Sequence, residues 1–374
     1  NNQNNLPSIT ILAGGIGPER QVSLDSGQCL ADALEFDYRV NLIDLTEASL
    51  PQDLSPEETV VISVIHGTFG EDGQLQAILD EAGFFYAGSG ANASRLCMNK
   101  YASKRSVAER GVRVSPDVRF TDPRSINPNE VCKELGADVI LKPTDQGSSV
   151  ALFVINGVDE LEKALSEIET GNWMLEKRVF GREVTVGLLN GVPMGIVEVI
   201  PDGGVYDYKR KYSKGSTEYR FPAVLDLEIE EEIKRFARRS FHVCECRDFA
   251  RIDFMICEDG NPFFLEVNTH HRGRPSKHLS FKVCPCLSKI YGIYGCPGHF
   301  LSLLQSCVNR SGCFSKIHNF AFSHALILAG CHTNYAKGTT FSHFPHQCFG
   351  RRSPNFNCSY YFTHMIWLLL WFKF

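Results

Sequence analysis

Two runs of residues near position 250 alternate polar and apolar side chains, a pattern typical of β-strands that bury one face. The runs cover residues 249–256 and 262–267. The four residues between them, 258–261, are Glu, Asp, Gly and Asn, which favour a turn. The alternation therefore predicts a β-hairpin.

The predicted hairpin carries four side chains that could act together. Alternation places Arg251 and Asp253 on one face of the first strand, and Glu266 and Asn268 on one face of the second. Carboxylate and amide oxygens are ligands that Mg²⁺ prefers, and phosphate oxygens can complete its coordination shell. Since partly buried carboxylates need partners, the pattern favours a metal–phosphate site over its alternative, a surface charge cluster.

The first part of the chain alternates short apolar runs with helical patterns. Apolar runs cover residues 9–13, 40–44 and 60–64, with a helix ending near residue 34 and another starting at 74. This order predicts a parallel α/β domain whose loops gather at the carboxyl ends of its strands. His66 lies at such an end, either as a functional residue or as a loop histidine held by a backbone hydrogen bond.

A glycine-rich turn follows the first predicted strand. Gly15 and Gly17 begin a dinucleotide-binding pattern, but Arg20 stands where the third glycine belongs. We therefore expect no dinucleotide there, although the following helix could receive an anion at its N-terminus.

The middle of the chain predicts a smaller α+β unit and then long strands. A strand at residues 139–141 leads into loop 142–150, whose small residues could wrap phosphate with help from Lys142; a plain hairpin turn explains it equally well. Residues 206–216 are rich in tyrosine and lysine and predict either a mobile lid or a solvated loop. The fold class is therefore α/β and α+β.

The charge distribution divides the chain near His270. Residues 1–269 contain all 43 acidic residues and 27 of the 38 basic residues, a net charge of −16, which argues against nucleic-acid binding. Residues 270–374 contain 11 Lys and Arg and no acidic residue, although about 17 would be expected at the density of the first part. They also hold 8 of the 14 Cys and 10 of the 12 His. The composition therefore predicts that two different polypeptides are joined here.

Several features indicate the cellular location. The six cysteines before residue 270 lie in apolar or helical contexts without metal-ligand spacing, as reduced cytosolic thiols do. The first residues lack the pattern of a signal peptide, and the apolar run 365–372 is far shorter than the roughly 20 residues of a membrane span. We expect a cytoplasmic protein with no membrane partner. The absent initiator Met suggests a processed chain or a piece of a longer one.

Eight short motifs occur in the order found in one known family. They are GGxxxERQVSL (14–24), HGxxGEDGxLQ (66–76), YAGSG (86–90), MNK (98–100), KPxxxGSSV (142–150), YDYxxKY (206–212), RIDF (251–254) and LEVNT (265–269). Through them the chain resembles the D-alanine–D-alanine ligase family of the ATP-grasp superfamily over residues 9–269. The resemblance implies an N-terminal α/β domain at 1–95, a central ATP-grasp domain at 96–180 and a truncated catalytic ATP-grasp domain at 181–269.

The resemblance also implies a reaction and its cofactors. Members of the family use ATP to join two D-alanines through a D-alanyl phosphate, for peptidoglycan precursor synthesis. They require two Mg²⁺ or Mn²⁺ ions, often with K⁺, and are usually homodimers. We expect the same ligands here, and a homodimer where the family's C-terminal region is present.

Residues that match the family motifs carry implied roles. Contacts to the phosphates, adenine and ribose of ATP are implied for Lys100, Lys142, Glu176, Lys177, Val179, Glu183 and Lys211. The two metal ions would be held by Asp253, Glu266 and Asn268. Binding of the first D-alanine and stabilisation of the reacting groups are implied for Glu19, His66, Ser148, Tyr212 and Arg251.

The match ends abruptly after Thr269. Arg272 aligns with the family's oxyanion-hole glycine, and Lys277 and His278 align with the Ser-Leu pair that binds the second D-alanine. Together with the acid-free composition, this indicates a reading-frame shift near codon 270 and a poorly ordered tail at residues 270–374.

Three alternatives stay open. The tail could be a Cys/His zinc module built on residues such as Cys284, Cys286 and Cys331, although no matching second pair is present. The chain could be an impaired ATP-grasp protein that binds only MgATP. It could also be a relative that joins D-alanine to D-lactate or D-serine.

Overall fold

Three β-sheets organise the chain in the computed structural model, which describes residues 8–35, 38–147, 151–201 and 217–270. The first sheet has four parallel strands in the order β2-β1-β3-β4. The elements of this unit are β1 (Ser8–Gly14), α1 (Arg20–Leu34), β2 (Val40–Leu45), β3 (Thr59–Ser63), α2 (Gln74–Glu81) and β4 (Phe85–Ala87). Every residue of β3 is buried, as expected for an apolar strand covered on both faces. The predicted parallel α/β unit is confirmed.

The loop between β3 and α2 requires glycine at two positions. A Cβ on Gly70 would lie 2.1 Å from the carbonyl oxygen of Ile65. Gly73 has a φ of +88°, and a Cβ there would lie 2.3 Å from the carbonyl oxygen of Ala91. These glycines explain the HGxxGEDG motif, because they let the loop turn tightly beside His66.

The second sheet is antiparallel, with the order β5-β8-β6-β7. The elements of this part are α3 (Ala91–Met98), α4 (Lys100–Ala108), β5 (Asp117–Phe120), a 3₁₀ turn (Pro123–Ser125), α5 (Pro128–Leu135), β6 (Asp138–Pro143), β7 (Phe153–Asn156), α6 (Val158–Glu167) and β8 (Trp173–Lys177). Apolar side chains of α5 and α6, including Leu135 and Leu161, pack against Val139 and Leu141 of β6. This layer of helices on a sheet is the predicted α+β unit.

The third sheet contains the predicted hairpin. Its five strands are antiparallel in the order β11-β10-β9-β12-β13. The elements are β9 (Gly181–Leu189), β10 (Val192–Pro201), β11 (Thr217–Arg220), α7 (Leu227–Val243), β12 (Phe249–Cys257) and β13 (Pro262–Asn268). Phe236 and Phe241 of α7 pack in the same core as Ile252 and Phe254 of β12. The hairpin of β12 and β13 is confirmed, and its strands end within one residue of the predicted bounds.

The first sheet is tied to β12 through the YAGSG motif. The backbone N–H of Gly88 donates to Oδ2 of Asp248 at 2.8 Å, and Nε of Arg247 donates to the carbonyl oxygen of Gly88 at 2.6 Å. The Arg247 guanidinium also lies 4.5 Å from the centre of the Tyr86 ring. The motif therefore holds two units of the fold together.

Some expectations fall outside the described residues. These are the tyrosine-rich loop 206–216 and the tail from residue 271 onward, which stay predictions. Within the described residues, all six cysteines are free thiols. None of the helices described is both long and apolar enough to cross a membrane.

The core around β12 generates a stability prediction. Phe254 is fully buried and its ring lies 6.2 Å from that of Phe264. Because truncation would leave a cavity, we expect Phe254→Ala to lower the free energy of unfolding by about 3–5 kcal/mol. Urea unfolding followed by tryptophan fluorescence measures this change. Phe180→Ala is the control, since Phe180 is 49% exposed, and a loss as large as that of Phe254→Ala would contradict the prediction.

Candidate functional site

The four side chains predicted on the hairpin converge, and we call them the hairpin cluster: Arg251, Asp253, Glu266 and Asn268. Arg251 lies directly opposite Asn268 across the two strands, and Asp253 lies opposite Glu266. Nδ2 of Asn268 lies 3.1 Å from Oδ2 of Asp253 and 3.3 Å from Oε1 of Glu266. Strand alternation thus placed all four on one face.

Asp253 is the buried centre of the hairpin cluster. Nε and Nη2 of Arg251 each donate to one of its carboxylate oxygens at 3.0 Å, a bidentate arrangement. The hydroxyl of Thr185, on the neighbouring strand β9, donates to Oδ1 of Asp253 at 2.5 Å. Thr185 was not among the predicted site residues, although it is a polar residue between the apolar Val184 and Val186. With Nδ2 of Asn268, four donors therefore surround this carboxylate.

The donor set of the hairpin cluster fits a hard divalent cation. Asp253 and Glu266 offer carboxylate oxygens, and Asn268 offers an amide oxygen after a half-turn of its side-chain amide. The N–H groups of the Asn268 amide point at both carboxylates and so occupy the position to which these carboxylates would attract a cation. Among the described residues, no group of three His, Cys, Asp or Glu side chains could hold a metal ion.

Lys100 connects the hairpin cluster to the loop that follows β6. The side chain of Asn99 caps α4 by accepting from the N–H of Ala102, so Lys100 is the first helical residue. Its ammonium lies 3.4 Å from Oε2 of Glu266 and donates to the carbonyl oxygen of Gln146 at 2.7 Å. The loop suspected of wrapping phosphate therefore lies beside the predicted metal ligands.

Lys142 and Glu176 form a buried ion pair behind this loop, with Nζ 2.6 Å from Oε2. Burial raises the pKa of the Glu176 carboxyl, but the ammonium groups of Lys142 and Lys104 lower it by more, so the net pKa lies below the ordinary value. Burial lowers the pKa of Lys142, and the carboxylates of Glu176, Glu266 and Asp117 together raise it by more, so the net pKa lies above the ordinary value. Both shifts favour the charged pair at neutral pH.

The other residues with implied adenine or ribose contacts follow one path along the chain. Lys177 ends β8, and its carbonyl oxygen accepts from the hydroxyl of Ser115 at 2.5 Å. Val179 is half-buried in the connection to β9, and Glu183 lies within β9. These positions run along the chain from the Lys142–Glu176 pair to β9, the strand that pairs with β12.

A second group of side chains lies at the carboxyl end of β3, and we call it the histidine cluster: Glu19, His66, Glu71 and His270. Nδ1 of the buried His66 lies 3.4 Å from Oε1 of Glu71, whose other oxygen accepts from the N–H of Gly67 at 3.0 Å. The rings of His66 and His270 meet edge to face at 5.9 Å. Glu19 is buried, and its carboxylate lies beside Gly67. The contact with Glu71 favours the functional interpretation of His66.

Glu71 and His270 were missed by the sequence analysis. Glu71 lies inside the HGxxGEDG motif, which was the available signal, but nothing in the sequence showed that its carboxylate faces His66. The loop after β6 also reaches this cluster, because a Cβ on Gly147 would lie 4.0 Å from Oε2 of Glu71. Three predicted site residues, Ser148, Lys211 and Tyr212, lie outside the described residues.

Comparison with known sequences identifies relatives over most of the described chain. Residues 108–271 match the profile described as "D-ala D-ala ligase C-terminus". The D-alanine–D-alanine ligase of Citrifermentans bemidjiense is 36% identical over 268 residues, which is 70% of this chain and 85% of that protein. The enzyme of the same name from Burkholderia ambifaria is 35% identical over 268 residues, with the same coverage of 70% and 85%.

Solved structures agree with the sequence relatives. The D-alanine–D-alanine ligase of Bacillus anthracis complexed with ATP has a TM-score of 0.66 and 25% identity, covering 82% of this chain and 98% of that chain. The VanG D-Ala:D-Ser ligase of Enterococcus faecalis has a TM-score of 0.62 and 23% identity, covering 71% and 91%, which shows a shared fold alone. From the identity and coverage of these relatives, the chain belongs to the D-alanine–D-alanine ligase family.

Proposed function

We propose that this chain binds ATP and D-alanine between the hairpin and histidine clusters and catalyses ATP-dependent ligation of two D-alanines. The carrying observation is Lys100, whose ammonium contacts Glu266 of the hairpin and Gln146 of the loop after β6. A cation at this junction, next to carboxylates and a loop of small residues, is suited to bind a nucleoside triphosphate. The Bacillus anthracis relative was solved with ATP bound, which supports this assignment.

Phosphate binding would come from two lysines and the loop between them. The ammonium groups of Lys100 and Lys142 would contact phosphate oxygens, since each has three donors and a full charge. A Mg²⁺ or Mn²⁺ ion held by Asp253, Glu266 and Asn268 would neutralise developing charge on the phosphates. Lys211 would add a contact to the γ-phosphate, and Glu176, Lys177, Val179 and Glu183 would border the nucleoside.

The first D-alanine would lie at the histidine cluster. The Glu19 carboxylate would receive its ammonium group, and His66, fixed by Glu71, would lie beside it. Ser148 and Tyr212 would bind the same substrate and fasten the lid. The D-alanine carboxylate would then attack the γ-phosphorus, which releases ADP and forms D-alanyl phosphate.

The second step would use Arg251. The amine of the second D-alanine attacks the acyl phosphate, and the carbonyl oxygen becomes an oxyanion before phosphate leaves. The Arg251 guanidinium, held by its bidentate contact with Asp253, provides a positioned positive charge for that oxyanion. Its position on a central strand means that little reorganisation is needed as the charge develops.

The biological setting follows from this reaction. D-alanyl-D-alanine would enter peptidoglycan precursor synthesis and so support the cell wall and cell shape. Because ATP is the energy source, we expect a cytoplasmic enzyme. K⁺ as an additional cofactor and a homodimeric state complete the proposal by analogy with the family.

A second function has a specific observation in its favour. Arg272 replaces the family's oxyanion-hole glycine, and Lys277 and His278 replace the Ser-Leu pair that binds the second D-alanine. All three lie outside the described residues. A protein that binds MgATP but joins D-alanines very slowly fits this departure. The two functions differ in turnover and agree on nucleotide binding.

Nucleotide binding is tested by thermal stability. All implied phosphate, ribose and metal residues precede position 270, so we expect MgATP to stabilise the chain by about 2.7 kcal/mol at 100 times its Kd. Asp253→Ala and Glu266→Ala should each abolish the shift in Tm, because Mg²⁺ accepts few substitutes for carboxylate oxygens. Glu167→Ala is the control, since Glu167 is an exposed carboxylate on α6. A Tm that saturating MgATP leaves unchanged in the unsubstituted chain would refute the nucleotide site.

Turnover is tested by replacing the tail. One version keeps the chain as written, and the other carries the C-terminal region of the Citrifermentans bemidjiense ligase after Thr269. We expect the chain as written to release phosphate about 10²–10³-fold more slowly with D-alanine and ATP, because loss of one oxyanion donor alone has that effect. Equal rates would show that the natural tail supplies a working second-substrate site.

A further inference from the structure

Lys104 is a buried cation that none of the roles above uses. Its side chain is only 2% exposed, and its ammonium lies 2.7 Å from Oδ2 of Asp117 and 2.8 Å from Oε1 of Glu176. Burying an ammonium group is unfavourable by several kcal/mol unless it is paired and hydrogen-bonded. A lysine kept in this position therefore needs a reason beyond solubility or helix propensity.

The strand register supplies one part of that reason. Asp117 of β5 and Glu176 of β8 stand directly opposite each other across two antiparallel strands. Two carboxylates in that relation repel each other and weaken the pairing of the strands. Helix α4 places Lys104 one turn after Lys100, so its ammonium lies between the two carboxylates. On this account alone Lys104 would be purely structural.

A second contact gives Lys104 a connection to the nucleotide site. The other oxygen of Glu176, Oε2, lies 2.6 Å from the ammonium of Lys142, the lysine assigned to phosphate. Glu176 thus has one oxygen on Lys104 and the other on Lys142. Two lysines and two carboxylates give this buried group of four a net charge of zero.

We propose that Lys104 is a positioning residue for nucleotide binding, which shares the charge of Glu176 so that the Lys142 ammonium stays available to phosphate. The inference rests on the proposed function, because it deepens the assignment of Lys142 to ATP. Lys104 itself touches neither phosphate nor nucleoside in this assignment and acts through Glu176.

The charge balance explains why Lys142 depends on Lys104. If Lys142 left Glu176 to reach phosphate, a carboxylate without Lys104 would be buried and unpaired, which is strongly unfavourable. If Lys142 kept its contact with Glu176 while binding phosphate, the undivided charge of that carboxylate would cancel its attraction for phosphate. In both cases the loss of Lys104 weakens phosphate binding most, because the nucleoside contacts assigned to Lys177, Val179 and Glu183 do not involve it.

The test compares variants that separate charge sharing from strand pairing. Lys104→Met together with Asp117→Asn removes the lysine and also the carboxylate that would repel Glu176. The buried group stays neutral and the strands keep their pairing. Asp117→Asn alone removes one of the two carboxylates that pair with Lys104. The Lys104 ammonium then pairs only with Glu176, so the Glu176 carboxylate attracts the Lys142 ammonium less strongly. Lys163→Met is the matched control, since Lys163 is an exposed lysine on α6 in the same unit.

Isothermal titration calorimetry with ATP, ADP and adenosine, each with Mg²⁺, measures the effect. We expect the double variant to bind ATP and ADP about 10- to 100-fold more weakly, with a smaller loss for adenosine, which keeps the contacts assigned to Lys177, Val179 and Glu183. Asp117→Asn should bind ATP as well as, or better than, the unsubstituted chain, and Lys163→Met should match it. If the double variant is shown by its Tm to be folded and binds ATP normally, Lys104 is only structural and the proposal is wrong.

The remaining outcomes also decide the question. If the double variant does not fold, Asp117→Asn carries the test, because weaker ATP binding there would overturn the proposal and unchanged or tighter binding would support it. Equal losses for adenosine and ATP would indicate a damaged site and would also overturn it. If the unsubstituted chain does not bind ATP, the proposed function itself is wrong. If the unsubstituted chain binds ATP and the folded double variant binds it equally well, only the proposal for Lys104 is wrong.

Discussion

Charge compensation around the buried carboxylate of Asp253 is the interaction on which the site depends. A buried carboxylate needs hydrogen-bond donors, and here they come from Arg251 on the same strand, Asn268 on β13 and Thr185 on β9. Three strands of one sheet are therefore fixed by a single carboxylate. Glu266 is in turn paired with Lys100, which connects the hairpin to α4 and to the loop after β6.

The fold was largely predictable because each unit has a plain hydrophobic pattern. Alternation at residues 249–256 determines which side chains share a face, and β12 has that arrangement. Continuous apolar runs likewise identified β1 and β3 as buried parallel strands. The short strands β4 and β11 were not predicted, because three or four residues contain too little periodicity to identify a strand. The domain boundaries near residues 95 and 180 stay predictions.

The site was only partly predictable, because ion pairing depends on distances that a linear pattern does not contain. Family motifs indicated Lys142 and Glu176, but not that they contact each other at 2.6 Å. Lys104 gave no signal at all, since a lysine inside a helix is ordinarily exposed. Its burial becomes intelligible only when Asp117 and Glu176 are seen opposite each other on paired strands. Glu71 was missed for the same reason, because it is the tight turn at Gly70 that brings its carboxylate next to His66.

The point at which the chain departs from its family lies beside the histidine cluster, the proposed site of the first D-alanine. His270 is the first residue after the last matching motif, and its ring lies 5.9 Å from that of His66. The hairpin holds this end in place, because Asn268 is hydrogen-bonded to both carboxylates of the cluster. The proposed phosphate and metal ligands, Lys100, Lys142, Asp253, Glu266 and Asn268, therefore all precede the departure, while the family's groups for the second amino acid align after it. In the proposed reaction, activation of the first substrate and ligation to the second thus depend on different parts of the sequence.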